Sequence, residues 1–288
     1  MTFEAQPEKI EQSEAEPENV KQSEAGVPTP EILASDHLLA AWLAETAGRR
    51  LLEVRATSGL EGKELKDAGD LAAHELLMEL VAEHRPQDGV LSEEGKDSKE
   101  RLAQDRVWII DPLDGTREFS EPPRDDWAVH VALWASSNGG ELIAGAVAQP
   151  ALADASLQST FHTGAAPVVP PSTSARPRIA VSRSRPPAFV EALAEELGAE
   201  LVPMGSAGVK MMSVVRDISD AYVHAGGQYE WDSAAPVAVA AAAGLFTSRI
   251  DGSPLRYNQD DVYLPDVIVC RPELSEQILS FIKRHGVE

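Results

Sequence analysis

RVWIIDPLDGTREF, residues 106–119, is the stretch on which the fold turns. Val107, Trp108, Ile109 and Ile110 form an unbroken apolar run, the pattern of a strand buried on both faces. The run ends at Asp111, because Pro112 has no amide hydrogen to continue a central ladder. Asp111 and Asp114 stand three apart in the turn that follows, where both carboxylates can face one point. Gly115 supplies backbone freedom, including positive φ, and Thr116 reads as the N-cap of a short helix through Arg117 and Phe119. A buried strand thus brings two carboxylates, a hydroxyl and free amides to one surface spot. Acids there hold divalent cations, and amides hold a phosphate oxygen. Taken alone, an Asp-rich turn after a strand is most often just a turn, since Asp caps its own backbone.

Two further stretches change that balance. Upstream, Gly89–Glu94 (GVLSEE) is another short apolar run ending in acids; downstream, Trp231–Pro236 (WDSAAP) sets an Asp at the head of an Ala-rich segment. In this order, Glu93-Glu94, Asp111–Thr116 and Trp231–Ala235 resemble the signature of the inositol monophosphatase superfamily of magnesium-dependent, lithium-sensitive phosphatases. The resemblance runs from about Ser35 to the C-terminus. WIIDPLDGTREF, DDWAVHVALW, AGGQYEWDSAAP and DGSPLRYNQ resemble most its actinobacterial CysQ type, the 3'-phosphoadenosine 5'-phosphate phosphatases of sulfate assimilation.

Composition bounds the rest. The 288 residues suffice for one large domain or two closely packed ones, and 43% hydrophobic content suits a globular core. A formal net charge of −22 argues against nucleic acid or an anionic membrane as partner. It also repels a phosphate ester at long range, so such a substrate needs metal ions or a local basic lining. Cys270 is the single cysteine, which excludes an intrachain disulfide and a cysteine zinc cluster. The N-terminus shows no secretory pattern and no bilayer-length apolar run is free of charge, so a cytoplasmic protein is expected.

Residues 1–30 are Glu-, Gln-, Pro- and Ser-rich and read as a disordered acidic tail. Amphipathic helices are expected over Asp36–Arg55 and Asp70–His84, with a charged loop between them. Strands are expected at Gly89–Ser92, Val107–Ile110, Trp127–Trp134, Leu142–Ala148 and within Ala153–Phe161, and Lys96–Gln104 reads as a short helix or lid-like loop. Pro- and Ser-rich Thr163–Arg178 reads as a linker, dividing an α+β metal-binding half (31–170) from an α/β half (171–288) that completes the site. The second half alternates strand Ile179–Val181, helix Pro186–Leu197, strand Leu201–Val202, helix Gly208–Arg216 and strand Asp220–His224. There follow a helix Ser233–Ala243 capped by Asp232, with Pro236 in about its first turn, strand Val267–Cys270 and helix Glu276–Arg284. Such alternation suggests layered sheets and helices. The resemblance implies an α+β fold, the five-layered αβαβα sandwich of the inositol monophosphatase and fructose-1,6-bisphosphatase type.

The resemblance also assigns roles. It implies two or three Mg2+ ions, the first held by Glu93, Asp111 and the Leu113 carbonyl, the second by Asp111, Asp114 and Asp232. Two carboxylates about 4 Å apart repel by roughly 4 kcal/mol at an effective dielectric near 20, so convergence of these acids itself calls for cations. Glu93 with Thr116 would orient and deprotonate the attacking water, and the Gly115 and Thr116 amides would hold a phosphate oxygen. Glu94 reads as supporting or structural. An ungapped count puts Glu64 where relatives carry an acid linked to a third metal.

For a nucleoside bisphosphate, Lys210 matches the phosphate-binding lysine of the nucleotidases. Ala207 holds their serine position with Ser206 one earlier, and His224 falls where they often have Arg. Substrate contacts are thus expected from Leu113, Asp114, Gly115, Thr116, Ser206, Lys210, His224 and Asp232. Arg183, Arg185 and Arg256 are further cations to weigh against plain surface bases, and Tyr229 is a candidate for stacking on adenine. His130 reads as a packed histidine between Ala128 and Ala132. The implied partner is a small phosphate ester, with a homodimer compatible. The leading reaction is hydrolysis of the 3'-phosphate to give AMP. The alternatives are inositol-1-phosphate or fructose-1,6-bisphosphate hydrolysis, a non-catalytic metabolite-binding protein of the same fold, and a calcium-binding module.

Overall fold

The structure, a computed structural model, describes residues 27–152, 158–172, 174–184 and 186–287. Residues 1–26 of the acidic segment and the head of the strand expected within Ala153–Phe161 lie outside them. Thr29 caps a short helix, α1 (Pro30–Ala34), accepting from the Ile32 amide at 3.3 Å.

Among the described residues, two five-stranded sheets organise the fold. The first runs β1 (Gly89–Ser92), β2 (Arg106–Asp114), β3 (Ala128–Ala135), β4 (Glu141–Ala148) and β5 (Thr160–His162) in spatial order. The second contains β6 (Arg178–Ser182), β7 (Glu200–Met204), β8 (Ala221–Ala225), β9 (Phe246–Ser248) and β10 (Asp266–Cys270), in the order β7-β6-β8-β10-β9. The apolar runs sort by parity, as pleating demands. Trp108 and Ile110 of β2 pack outward with Leu43 and Leu51 of α2 (Asp36–Thr57) and Leu77 of α3 (Gly62–His84). Val107 and Ile109 pack inward with Met211 and Val214 of α6 (Ala207–Val215) and Val239 of α7 (Glu230–Ala242). That same cluster takes Tyr222, Val267 and Val269 from the second sheet. Val223, Ile268 and Cys270 turn away, onto Leu193 of α5 (Ala188–Leu197) and Ile278 and Phe281 of α8 (Pro272–His285). The layers are therefore αβαβα, as expected.

Three local readings are corrected. β2 does not stop at Asp111; it continues to Asp114, with a register shift between Asp111 and Asp114. Pro112 sits in that irregularity, where no ladder amide is missed. α3 starts at Gly62, not Asp70: Leu65 and Gly69 extend the buried stripe of Ala73, Leu77 and Val81, while Lys63, Glu64 and Asp67 face out. α7 starts at Glu230, so Asp232 is its third residue rather than its N-cap, and Pro236 lies past the first turn.

The Ala-rich sequence of α7 has a direct packing consequence. Gly145 of β4 has no side chain, and a Cβ there would lie 2.7 Å from the Ala238 Cβ and 3.2 Å from the Ala235 carbonyl oxygen. Small residues on both surfaces let the helix lie directly on the first sheet, which brings the N-terminus of α7 to the end of β2.

Candidate active site

The end of β2 and the start of α7 meet. One carboxylate oxygen each from Asp111, Asp114 and Asp232 lie within 4.8 Å of one another. Each acid is fixed by its own backbone surroundings. Asp111 Oδ1 accepts from the Leu113 amide at 3.1 Å, closing the turn across Pro112. Asp232 Oδ2 accepts from the Tyr229 amide at 2.7 Å and so still caps α7 from inside it. Asp114 Oδ1 accepts from Ala207 N (3.1 Å), and Oδ2 accepts from Gly208 N (2.6 Å) and from the Ser206 hydroxyl. It thus serves as an anion for the first turn of α6. Glu93 follows β1, where its amide extends the pairing by donating to Ile110 O (3.2 Å), and its carboxyl shares a hydrogen bond with Asp111.

The electrostatics separate the acids. Burial, then the charges of Glu93, Asp114 and Asp232, push Asp111 well above the usual carboxylate range. Burial and the Asp114 charge take Asp232 to about 7. Glu93 keeps exposed surface at the mouth, yet desolvation by its surroundings and the charge of Asp114 also take it to about 7, against the hydrogen bond from Asp111. Asp114 goes the other way. Burial opposes its ionisation, but His130, Ser206 and Lys210 outweigh that and bring it to about 2. Buried acids that retain protons near neutrality are groups short of positive charge, and their all-oxygen donor set suits a hard divalent cation.

A linkage prediction follows from these shifts. Without metal, the folded state binds more protons than the unfolded one between the ordinary values of 3.8 for Asp and 4.5 for Glu and about 7. Stability is then fully present at the acid end of that window and declines as pH rises through it. In EDTA the melting temperature should fall between about pH 5.5 and pH 8, and added Mg2+ should raise it far more at the upper value. Equal stabilisation by Mg2+ at both would contradict cation binding at these acids.

From the acids a cleft of about 420 Å³ runs past Gly115, Thr116 and Ser206 to Lys210, Tyr222 and His224. Gly115 takes φ +89°, with its Cβ position 3.1 Å from the Ser206 Cβ, so it provides both the turn and the close approach of α6. It also stands as N-cap of the one-turn helix α4 (Thr116–Phe119); Thr116 is the first helical residue, not the cap. Lys210 is buried, its Nζ donating to Gly205 O (3.3 Å) and Ser206 O and lying 5.4 Å over the Tyr222 ring. His224 Nε2 donates to Gly226 O (2.6 Å), and burial lowers its pKa, so it carries no permanent charge. Ser206 caps α6, accepting from Val209 N at 3.0 Å while it donates to Asp114.

The remaining expectations fall elsewhere. Arg183 pairs with Glu118 at 2.8 Å, Arg256 lines a separate cavity beside Glu230 and Arg249, and Tyr229 stacks on Trp231 with ring centroids 5.0 Å apart. Arg185 is outside the described residues. Glu64 is exposed in the first turn of α3. The acid of α3 that interacts with the site is Asp70, raised to about 7 by burial and the charge of Glu94, and coupled electrostatically to Glu93. Asp70 shares a side of α3 with the buried Ala73 and Leu77, which turns it toward the core.

Known proteins resemble this chain in sequence and in fold. The inositol monophosphatase family profile matches residues 37–286. The chain is 52% identical over 240 residues to the 3'-phosphoadenosine 5'-phosphate phosphatase of Mycobacterium bovis, covering 82% of this chain and 89% of that one. Inositol monophosphatase-II of Staphylococcus aureus superposes with a TM-score of 0.68 at 21% identity, over 85% of this chain and 95% of its own. CysQ of Bacteroides thetaiotaomicron does so with a TM-score of 0.65 at 26% identity, over 81% and 96%. A match that begins at the head of α2 and ends just past α8 takes in all of the layers, and the chain belongs to the inositol monophosphatase family.

Proposed function

We infer that the protein hydrolyses the 3'-phosphate of 3'-phosphoadenosine 5'-phosphate, releasing AMP and phosphate. The observation that carries this reading is one cleft lined by two chemically distinct groups, converging acids and the buried ammonium of Lys210. A bisphosphate offers an anion to each, whereas inositol-1-phosphate offers one.

Glu93, Asp111, the Leu113 carbonyl, Asp114 and Asp232 would hold two Mg2+ ions. Bound there, such ions lower the pKa of water and neutralise charge on the leaving oxygen. The chain's own groups do the rest. Glu93, whose carboxyl stands beside Asp111 and keeps exposed surface, accepts the proton of the attacking water. Thr116 orients that water, and the Gly115 and Thr116 amides hold a phosphoryl oxygen. The water oxygen bonds to phosphorus as the bond to the 3'-oxygen breaks, and the departing oxygen is protonated from solvent. Lys210 holds the 5'-phosphate, and Leu113 and Asp114 border the ester.

Phosphate release from the bisphosphonucleotide, inositol-1-phosphate and fructose-1,6-bisphosphate, with Mg2+ and then with added Li+, tests the reading. The expected result is highest kcat/KM for the bisphosphonucleotide and inhibition by Li+. Preference for a sugar phosphate would overturn the substrate assignment while leaving the metal site standing.

A further inference from the structure

β3 reads AVHVALWA, and its single polar member before Trp134 is completely buried: His130 has no exposed surface. In register it stands opposite Asp111. Its two ring nitrogens face two different pieces of the site. Nδ1 lies 3.2 Å from the Trp231 carbonyl oxygen, one residue before Asp232, and 4.0 Å from Asp111 Oδ2. Nε2 lies 3.2 Å from Asp114 Oδ2 and, among the described residues, has no aligned hydrogen-bond partner. One ring therefore touches the ends of both elements that deliver the acids.

The neighbouring helix makes room for it. Gly208 is the second residue of α6, and a Cβ there would lie 1.9 Å from His130 Nε2. Gly208 does not take positive φ, so its lack of a side chain answers to space rather than to backbone conformation. Glycine within a helix costs roughly 0.5–1 kcal/mol relative to alanine, and here the ring supplies the reason for it.

The contacts also decide which oxygen of Asp114 is free. Oδ2 faces Ser206, Gly208 and His130 together, whereas Oδ1 receives the Ala207 amide. A carboxylate oxygen has about two lone-pair sites, so the Ser206 hydroxyl and the Gly208 amide fill Oδ2 with His130 Nε2 set beside it, and Oδ1 keeps one site for a cation. We propose that His130 is a positioning residue of the metal centre: wedged between Asp114 and the Trp231 carbonyl, and seated against Gly208, it turns Asp114 Oδ1 toward the cation and holds the start of α7 beside it. This rests on the inferred metal role of Asp114 and Asp232. Loss of metal binding in Asp114→Asn would uphold that role independently of His130.

The test is Mg2+ binding to the substrate-free protein, by calorimetry, with melting in EDTA to establish folding. His130→Phe keeps a ring and removes both nitrogens; His130→Gln keeps an amide donor. Partners behind metal ligands change affinity by about 10–100-fold, and that loss is expected for His130→Phe, with substantial recovery in His130→Gln. Gly208→Ala, which displaces the ring while keeping the backbone amide that donates to Asp114, should weaken Mg2+ by a similar factor in wild-type protein and have little effect in a His130→Ala background. If His130→Phe does not fold, the two Gly208 variants decide. Mg2+ affinity within twofold of wild type in folded His130→Phe or in Gly208→Ala overturns the proposal. So does His130→Gln binding as weakly as His130→Phe, since packing would then suffice.

Discussion

Asp111→Asn is expected to lower phosphate release by at least about 10³-fold, equivalent to roughly 4 kcal/mol of lost barrier reduction. Asn preserves the shape of a side chain that is 1% exposed. Its amide oxygen takes the place of Oδ1 as acceptor for the Leu113 amide, which puts the NH2 group in place of Oδ2, among acids whose charges act on Asp111. A donor then points where a cation must sit. The same change relieves the repulsion that raises the pKa of its neighbours, so the variant should melt at a higher temperature than wild type in EDTA and gain less from Mg2+. This is the usual antagonism between stability and a strained functional site. Phosphate release within tenfold of wild type would remove Asp111 from the metal centre.

Lys210→Ala is expected to raise KM for the bisphosphonucleotide by about 10–100-fold, while inositol-1-phosphate changes by no more than about twofold. Hydrogen bonds to a charged group are worth about 1.5–3 kcal/mol, which sets that range. The ammonium is already desolvated, pointing at two carbonyls and the Tyr222 face, and burial depresses its pKa. An arriving phosphate dianion offers a better partner than either carbonyl. An equal loss on both substrates would mean that Lys210 acts through the α6 turn that holds Asp114, not on the nucleotide.

What the sequence disclosed was what its local chemistry encodes. The run Val107–Ile110 disclosed a buried strand, and two acids three apart placed a charged point at its end. Three short acidic motifs in order carried the family and, through it, the layers. Register and neighbourhood were hidden. Nothing in WAVHVALW says that His130 stands opposite Asp111, because pairing partners come from a turn and a bulge elsewhere in the sheet. The charged start of α3 concealed a stripe of Leu65 and Gly69, and with it the direction of Asp70. Arg183 and Ser206 read as free polar groups, yet one is held by Glu118 and the other by Asp114. A side chain's availability depends on partners remote in sequence, which no local pattern records.

The seat of α7 on Gly145 reaches beyond packing. Because a glycine faces small residues of the helix there, the approach of α7 to the first sheet, and with it the span between Asp232 and the β2 carboxylates, is set in part by main chain. Oxygen–cation distances are 2.0–2.1 Å for magnesium and 2.3–2.6 Å for calcium. On the proposed magnesium reading, a span set by main chain favours the smaller ion, and calcium should act on this phosphatase as a poor substitute.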